Sequence, residues 1–203
     1  MNLYVCKKVI YFILFTYFYY VALIFGTRWT ILYENDQFLL GACFLLLGII
    51  FFRKVLLNEL KKINFLRCIK LVAISLFIIF LFFYMLSYFL FNQGVEINTS
   101  SFTWMSILNA LVFAPFVEEI VNRFCLICLN RSILIKFITL FLSSILFSMG
   151  HQTILSSNFY MFWPFFILGL CLGSIYIKTK NIWYSVAVHF SYNLVVVVVV
   201  SLY

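Results

Sequence analysis

The chain has 203 residues, of which 66% are hydrophobic, 22% are aromatic and only 10% are charged. Soluble domains are about half apolar and about one quarter charged, so these fractions exclude both a soluble globule and a disordered chain. In so apolar a chain, the net charge of +8 indicates contact with anionic lipid and not with nucleic acid. The sequence therefore predicts an integral membrane protein whose first partner is the lipid bilayer, with no nucleic-acid partner.

Apolar runs long enough to cross a bilayer recur along the whole chain. A hydrocarbon core of about 30 Å is crossed by about 20 helical residues. This length predicts an all-α fold, a polytopic transmembrane helix bundle of about seven spans. The predicted spans are residues 9–25, 38–52, 71–91, 105–129, 134–150, 160–177 and 182–202.

Basic residues occur in alternate connections between these spans. Lys7 and Lys8 precede the first span, and the connection between the second and third spans carries six more. The positive-inside rule therefore predicts a cytoplasmic N-terminus and an external C-terminus. The frequent Phe, Ile, Lys and Asn are typical of an AT-rich bacterium, so we expect a bacterial plasma membrane.

A few polar and ionisable side chains interrupt the apolar spans. Such residues are costly in a bilayer and are functional candidates by default. They are Glu118, Glu119 and Arg123 in the fourth span, His151 at the end of the fifth, and His189 with Asn193 in the seventh. These residues are the candidate site.

The two glutamates are predicted to have different roles. Glu119 precedes Arg123 by four residues, the favourable helical spacing for an ion pair, so we assign this pair a structural role. Glu118 lies about 100° round the helix from Glu119 and has no such partner, which suits a general base. The alternative is a structural polar cluster without chemistry.

Two further features fit hydrolysis within a membrane. Pro115 lacks an N–H and frees the carbonyl of Leu111, so we expect the helix to kink there and to admit water. His189 and Asn193 are four residues apart on one helix face and offer two donors for a developing oxyanion. The chain has one aspartate, Asp36, and no H-E-x-x-H or G-x-S-x-G motif, which excludes paired aspartates and the usual zinc or serine signatures.

Three short motifs occur in order on successive spans. They are E-E-x-x-x-R at residues 118–123, F-x-x-x-H at 147–151 and H-x-x-x-N at 189–193. Together they make the chain resemble the CAAX-protease and bacteriocin-processing family of intramembrane proteases, also called CPBP or Abi. The resemblance covers residues 114–194, so we divide the chain into a four-span catalytic core, 101–203, and a three-span N-terminal region, 1–100, of unassigned role.

The resemblance implies an endopeptidase that activates water with Glu118 and His151 and holds the oxyanion with His189 and Asn193. The family has been classed with metalloproteases, so a zinc site at Glu118, His151 and His189 stays open as an alternative. We favour glutamate catalysis that requires no cofactor.

The resemblance also suggests a substrate class. We expect a membrane-associated peptide, such as a bacteriocin or signal-peptide precursor, or a role in self-immunity to a bacteriocin. The alternatives are a catalytically silent membrane partner, for example of a sensor kinase, and a proton-coupled carrier. The intact motifs favour the enzyme.

Overall fold

The computed structural model describes residues 34–90, 103–127, 129–151 and 158–202, together with Ile10, Leu14, Phe15, Tyr17 and Leu155. Within these ranges the chain forms helices and no strand, which confirms the all-α polytopic fold. The helices are α1 (Glu34–Leu60), α2 (Phe65–Leu90), α3 (Trp104–Cys125), α4 (Ile133–Met149), α5 (Phe162–Thr179) and α6 (Ile182–Leu202).

Five of these helices are long and apolar enough to cross a membrane, whereas α4, with 17 residues, is shorter. All six helices together correspond to the six spans predicted from residue 38 onward. Most of the first predicted span, 9–25, lies outside the described residues. The predicted second span was too short. Helix α1 continues to Leu60 because its basic residues Arg53 and Lys54 are exposed and do not interrupt the helix. The connection to α2 is therefore only residues 61–64.

Glycines allow the helices to approach closely. A Cβ built on Gly169 in α5 would lie 3.0 Å from the Cα of Ser144 in α4, so the two backbones are in near contact there. In α1, a Cβ on Gly41 would lie 2.7 Å from the Asn109 side chain of α3. Gly169 therefore lets α4 and α5 approach closely, and Gly41 does the same for α1 and α3.

The end of α1 and the connection that follows it contact the start of α6. The Glu59 carboxylate accepts the N–H of Ile182 at 2.8 Å, and its backbone carbonyl accepts the side-chain amide of Asn181 at 2.7 Å. The N–H of Asn64 donates to the Tyr184 hydroxyl at 2.9 Å. The bond to Ile182 satisfies an N–H that a helix N-terminus leaves unpaired, and the three contacts together hold the end of α6 that leads to His189.

Candidate active site

Helix α3 is irregular on both sides of its two acids. Residues Ala114–Glu119 are α-helical, but they lie between two π-helical segments, Asn109–Phe113 and Ile120–Cys125. Such π segments are rare and are frequent at functional sites. The two acids therefore lie in a short α-helical stretch, and the hydrogen-bond register of the helix changes on each side of it.

Pro115 lies in the first turn of the α-helical stretch, directly after the first π segment. The N–H of Ala114 donates to the carbonyl of Asn109, five residues earlier. In this π register, residue 115 would donate to Ala110, and not to Leu111 as in an α-helix, but proline has no N–H. The amide Nδ2 of Asn193 donates to the Ala110 carbonyl instead, at 2.7 Å.

Glu119 is fully buried between two basic groups. Its Oε2 lies 3.3 Å from Arg123 Nε, and its Oε1 lies 3.2 Å from His189 Nδ1. The Arg123 contact is an ion pair without hydrogen-bond geometry. The predicted pair is therefore present, and Glu119 also binds a histidine of the last helix, a contact that spacing along one helix cannot show.

Arg123 is held by groups from α4. Its Nη1 donates to the Ser143 hydroxyl at 2.7 Å, and that hydroxyl donates to the backbone carbonyl of Asn122. The guanidinium carbon lies 5.0 Å from the centre of the Phe147 ring, a cation–π geometry. Ser143 and Phe147 were not among the residues predicted for the site, although Phe147 opens the second motif.

Glu118 differs from Glu119 in its surroundings. Its side chain is 16% exposed, and its Oε2 lies 3.9 Å from His189 Nε2. In the described part of the chain, this buried oxygen has no hydrogen-bond partner. Glu118 thus has a buried oxygen without a hydrogen bond, on a side chain that is partly exposed.

His151 lies just beyond the end of α4 and meets the site through an aromatic ring. Its Nδ1 is 2.9 Å from the carbonyl of Phe147, and its imidazole stacks on Phe165 at 3.9 Å. The Phe147 ring centre is 5.1 Å from that of His151 and 5.5 Å from that of His189. No hydrogen bond joins His151 to Glu118, so the structure brings Glu118, Glu119 and His189 together and leaves His151 beside them.

The described residues do not form a ligand set for a metal. Across the ranges that the structure covers, no three His, Cys, Asp or Glu side chains are grouped as ligands would be. The Nδ1 of His189 contacts Glu119 and that of His151 contacts a carbonyl, which leaves the Nε2 of each ring as its possible ligand atom. The Phe147 ring lies close to both imidazoles, so Glu118, His151 and His189, the alternative zinc set, are not grouped round one point in this arrangement.

Comparison with known proteins matches residues 99–195 to the family model described as Rce1-like, type II CAAX prenyl endopeptidase. No curated protein and no solved structure matches the chain. The matched segment contains the three motifs and every side chain of the site described above.

Proposed function

Because residues 99–195 match the Rce1-like family of type II CAAX prenyl endopeptidases, we propose that the chain is an intramembrane protease that hydrolyses membrane-associated peptides with water activated by Glu118. The observation that carries the proposal is the contrast between the two acids. Glu119 is buried against Arg123 and His189, whereas a buried oxygen of Glu118 is unpartnered and its side chain is partly exposed. A base needs an acceptor that water can approach, and the unpartnered oxygen and partial exposure of the Glu118 side chain support that role.

In the proposed reaction, Glu118 takes a proton from water as the water oxygen bonds to the carbonyl carbon of the substrate. His151, beside the site, holds the water together with Glu118. His189 and Asn193 donate hydrogen bonds to the resulting oxyanion. The C–N bond then breaks, and the proton on Glu118 passes to the departing amine, which restores the carboxylate.

The proposed donor role of His189 constrains its protonation. A carboxylate only accepts hydrogen bonds, so the Nδ1 that faces Glu119 carries a hydrogen. Donation from Nε2 to an oxyanion therefore uses the doubly protonated ring. In that form, the charges of His189 and Arg123 balance those of Glu118 and Glu119, which is how a buried charge cluster avoids a net charge.

We propose that this chemistry needs no tightly bound zinc. The carboxylate base and the two donors supply proton transfer and oxyanion binding from the chain itself. The test is the zinc content of the purified protein. Stoichiometric zinc that His151→Ala and His189→Ala both lose, together with activity that chelators abolish, would overturn the metal-free proposal.

We further propose that the chain lies in a bacterial plasma membrane with its N-terminus in the cytoplasm. The proposed substrate is a bacteriocin precursor or a signal-peptide precursor, or, in a role in self-immunity, a bacteriocin. Support comes from the basic connections and the composition of the chain. A site enclosed by membrane-spanning helices is also best reached by peptides that already lie in or on the bilayer.

The experiment is cleavage of synthetic amphipathic and precursor peptides by the purified protein in water enriched in ¹⁸O. We expect one new amino terminus and one new carboxylate that carries a single ¹⁸O atom. Glu118→Gln should abolish both products while the protein remains folded. Glu59→Gln is the matched control, because it lies at the end of α1 and keeps an oxygen for the Ile182 N–H.

Two results would contradict the proposal. Equal cleavage by the wild-type protein and Glu118→Gln would remove Glu118 as the base. Binding of the peptides without cleavage of any of them would favour the silent membrane partner over the enzyme.

A further inference from the structure

The carbonyl of Ala110 in α3 lacks the donor that the helix would normally supply. The N–H of Ala114 is used by Asn109, and residue 115, the next donor in the π register, is a proline. Inside a bilayer no bulk water can satisfy such a carbonyl, so a donor must come from elsewhere in the protein.

Asn193 in α6 supplies that donor, with its Nδ2 at 2.7 Å from the Ala110 oxygen. One helical turn earlier on the same helix, His189 Nδ1 lies 3.2 Å from Glu119. Helix α6 therefore contacts α3 at two places. One is Glu119, and the other is Ala110, which precedes Glu118 by eight residues. Pro115 lies between these two points.

We propose that Asn193 is a positioning residue, whose amide occupies the carbonyl that Pro115 leaves open and so fixes the register in which α3 presents Glu118 to His189. This role deepens the proposed function and rests on it for the identity of the site. An amide nitrogen carries two hydrogens, so one N–H can hold Ala110 while the other faces the substrate. The role differs from oxyanion binding because it depends on Pro115.

That dependence gives a direct test by a double-mutant cycle. Pro115→Ala restores an N–H that can satisfy the helix carbonyl, so Asn193→Leu should matter less in that background. The other proline of the chain, Pro164, lies in the first turn of α5, where a helix does not need the missing N–H. Pro164→Ala is therefore the matched control.

The first measurement is thermal unfolding in one detergent, without any peptide, so it is independent of whether the protein cleaves one. We expect Asn193→Leu to lower the unfolding midpoint, and this drop to be at least about twofold smaller with Pro115→Ala. With Pro164→Ala the drop should be unchanged. An equal drop in all three backgrounds would overturn the proposal. If Asn193→Leu alone does not accumulate, recovery with Pro115→Ala supports the proposal and no recovery overturns it.

The second measurement separates positioning from simple stabilisation. Per folded molecule, Asn193→Leu should lower kcat at an unchanged KM. Addition of Pro115→Ala should raise kcat of this variant at least about tenfold, and the part of kcat that is not regained reflects the lost oxyanion donor. If Pro115→Ala restores stability but no part of kcat, Asn193 only stabilises the fold and the positioning role is wrong.

Discussion

Replacement of Glu119 by glutamine tests the division of labour between the adjacent acids. The change keeps the size of the side chain but leaves the Arg123 guanidinium, which is fully buried, without its counter-charge. At a separation of 3.3 Å, with an effective dielectric constant of about 20, the attraction that is lost is about 5 kcal/mol. Broken buried pairs cost about 3–5 kcal/mol, so we expect Glu119→Gln to lower the free energy of unfolding by that amount.

The measurement is unfolding in detergent, followed by the fluorescence of the four tryptophans, together with the level of protein in the membrane. Glu118→Gln is the control, because among the described residues no arginine or lysine forms an ion pair with Glu118, so this variant should lose only activity. Glu119→Gln combined with Arg123→Gln should regain most of the lost stability, since no unpaired charge remains. If Glu118→Gln and Glu119→Gln lose the same stability, the structural and catalytic roles have been divided wrongly.

Two further substitutions test the parts of the fold that position the site. Glu59→Ala removes the acceptor of the Ile182 N–H, and an unsatisfied buried donor costs about 1–3 kcal/mol in unfolding free energy; no loss of stability would mean that this contact does not hold α6. Gly169→Ala should destabilise by about 1–3 kcal/mol, because the new methyl meets the Ser144 backbone at 3.0 Å, whereas an open helical site would gain up to about 1 kcal/mol from alanine. A gain in stability would refute the close approach of α4 and α5.

The sequence was sufficient for the features that depend on one helix at a time. Apolar runs located the helices, since any segment that crosses a bilayer must be apolar and must satisfy its own backbone. The spacing of four residues likewise located the ion pair of Glu119 and Arg123, because helical geometry alone brings those side chains together. The end of α1 was missed because apolar length measures the bilayer and not the helix, which continues through exposed basic residues to Leu60.

Contacts between helices could not be predicted in the same way. Neither the hydrogen bond between Glu119 and His189 nor the place of Phe147 between Arg123 and two histidines follows from spacing along the chain. The bond from Asn193 to the Ala110 carbonyl could not be predicted either, because it depends on a π register at residues 109–113, whereas the spacing along the chain was interpreted with an α register. The two registers differ by a single hydrogen-bond step, and hydrophobic periodicity does not resolve that difference.

The register of α3 explains why a proline stands one turn before the acids in a helix that must cross a membrane. A proline within a regular helix leaves one carbonyl without a donor, and lipid offers no replacement. Here the carbonyl at risk is Ala110, and its replacement donor comes from α6, the helix that also carries His189. The defect therefore ties α3 to α6 beside the two acids. The fold thereby turns a helix defect into a contact that aligns the proposed base with the proposed oxyanion donors.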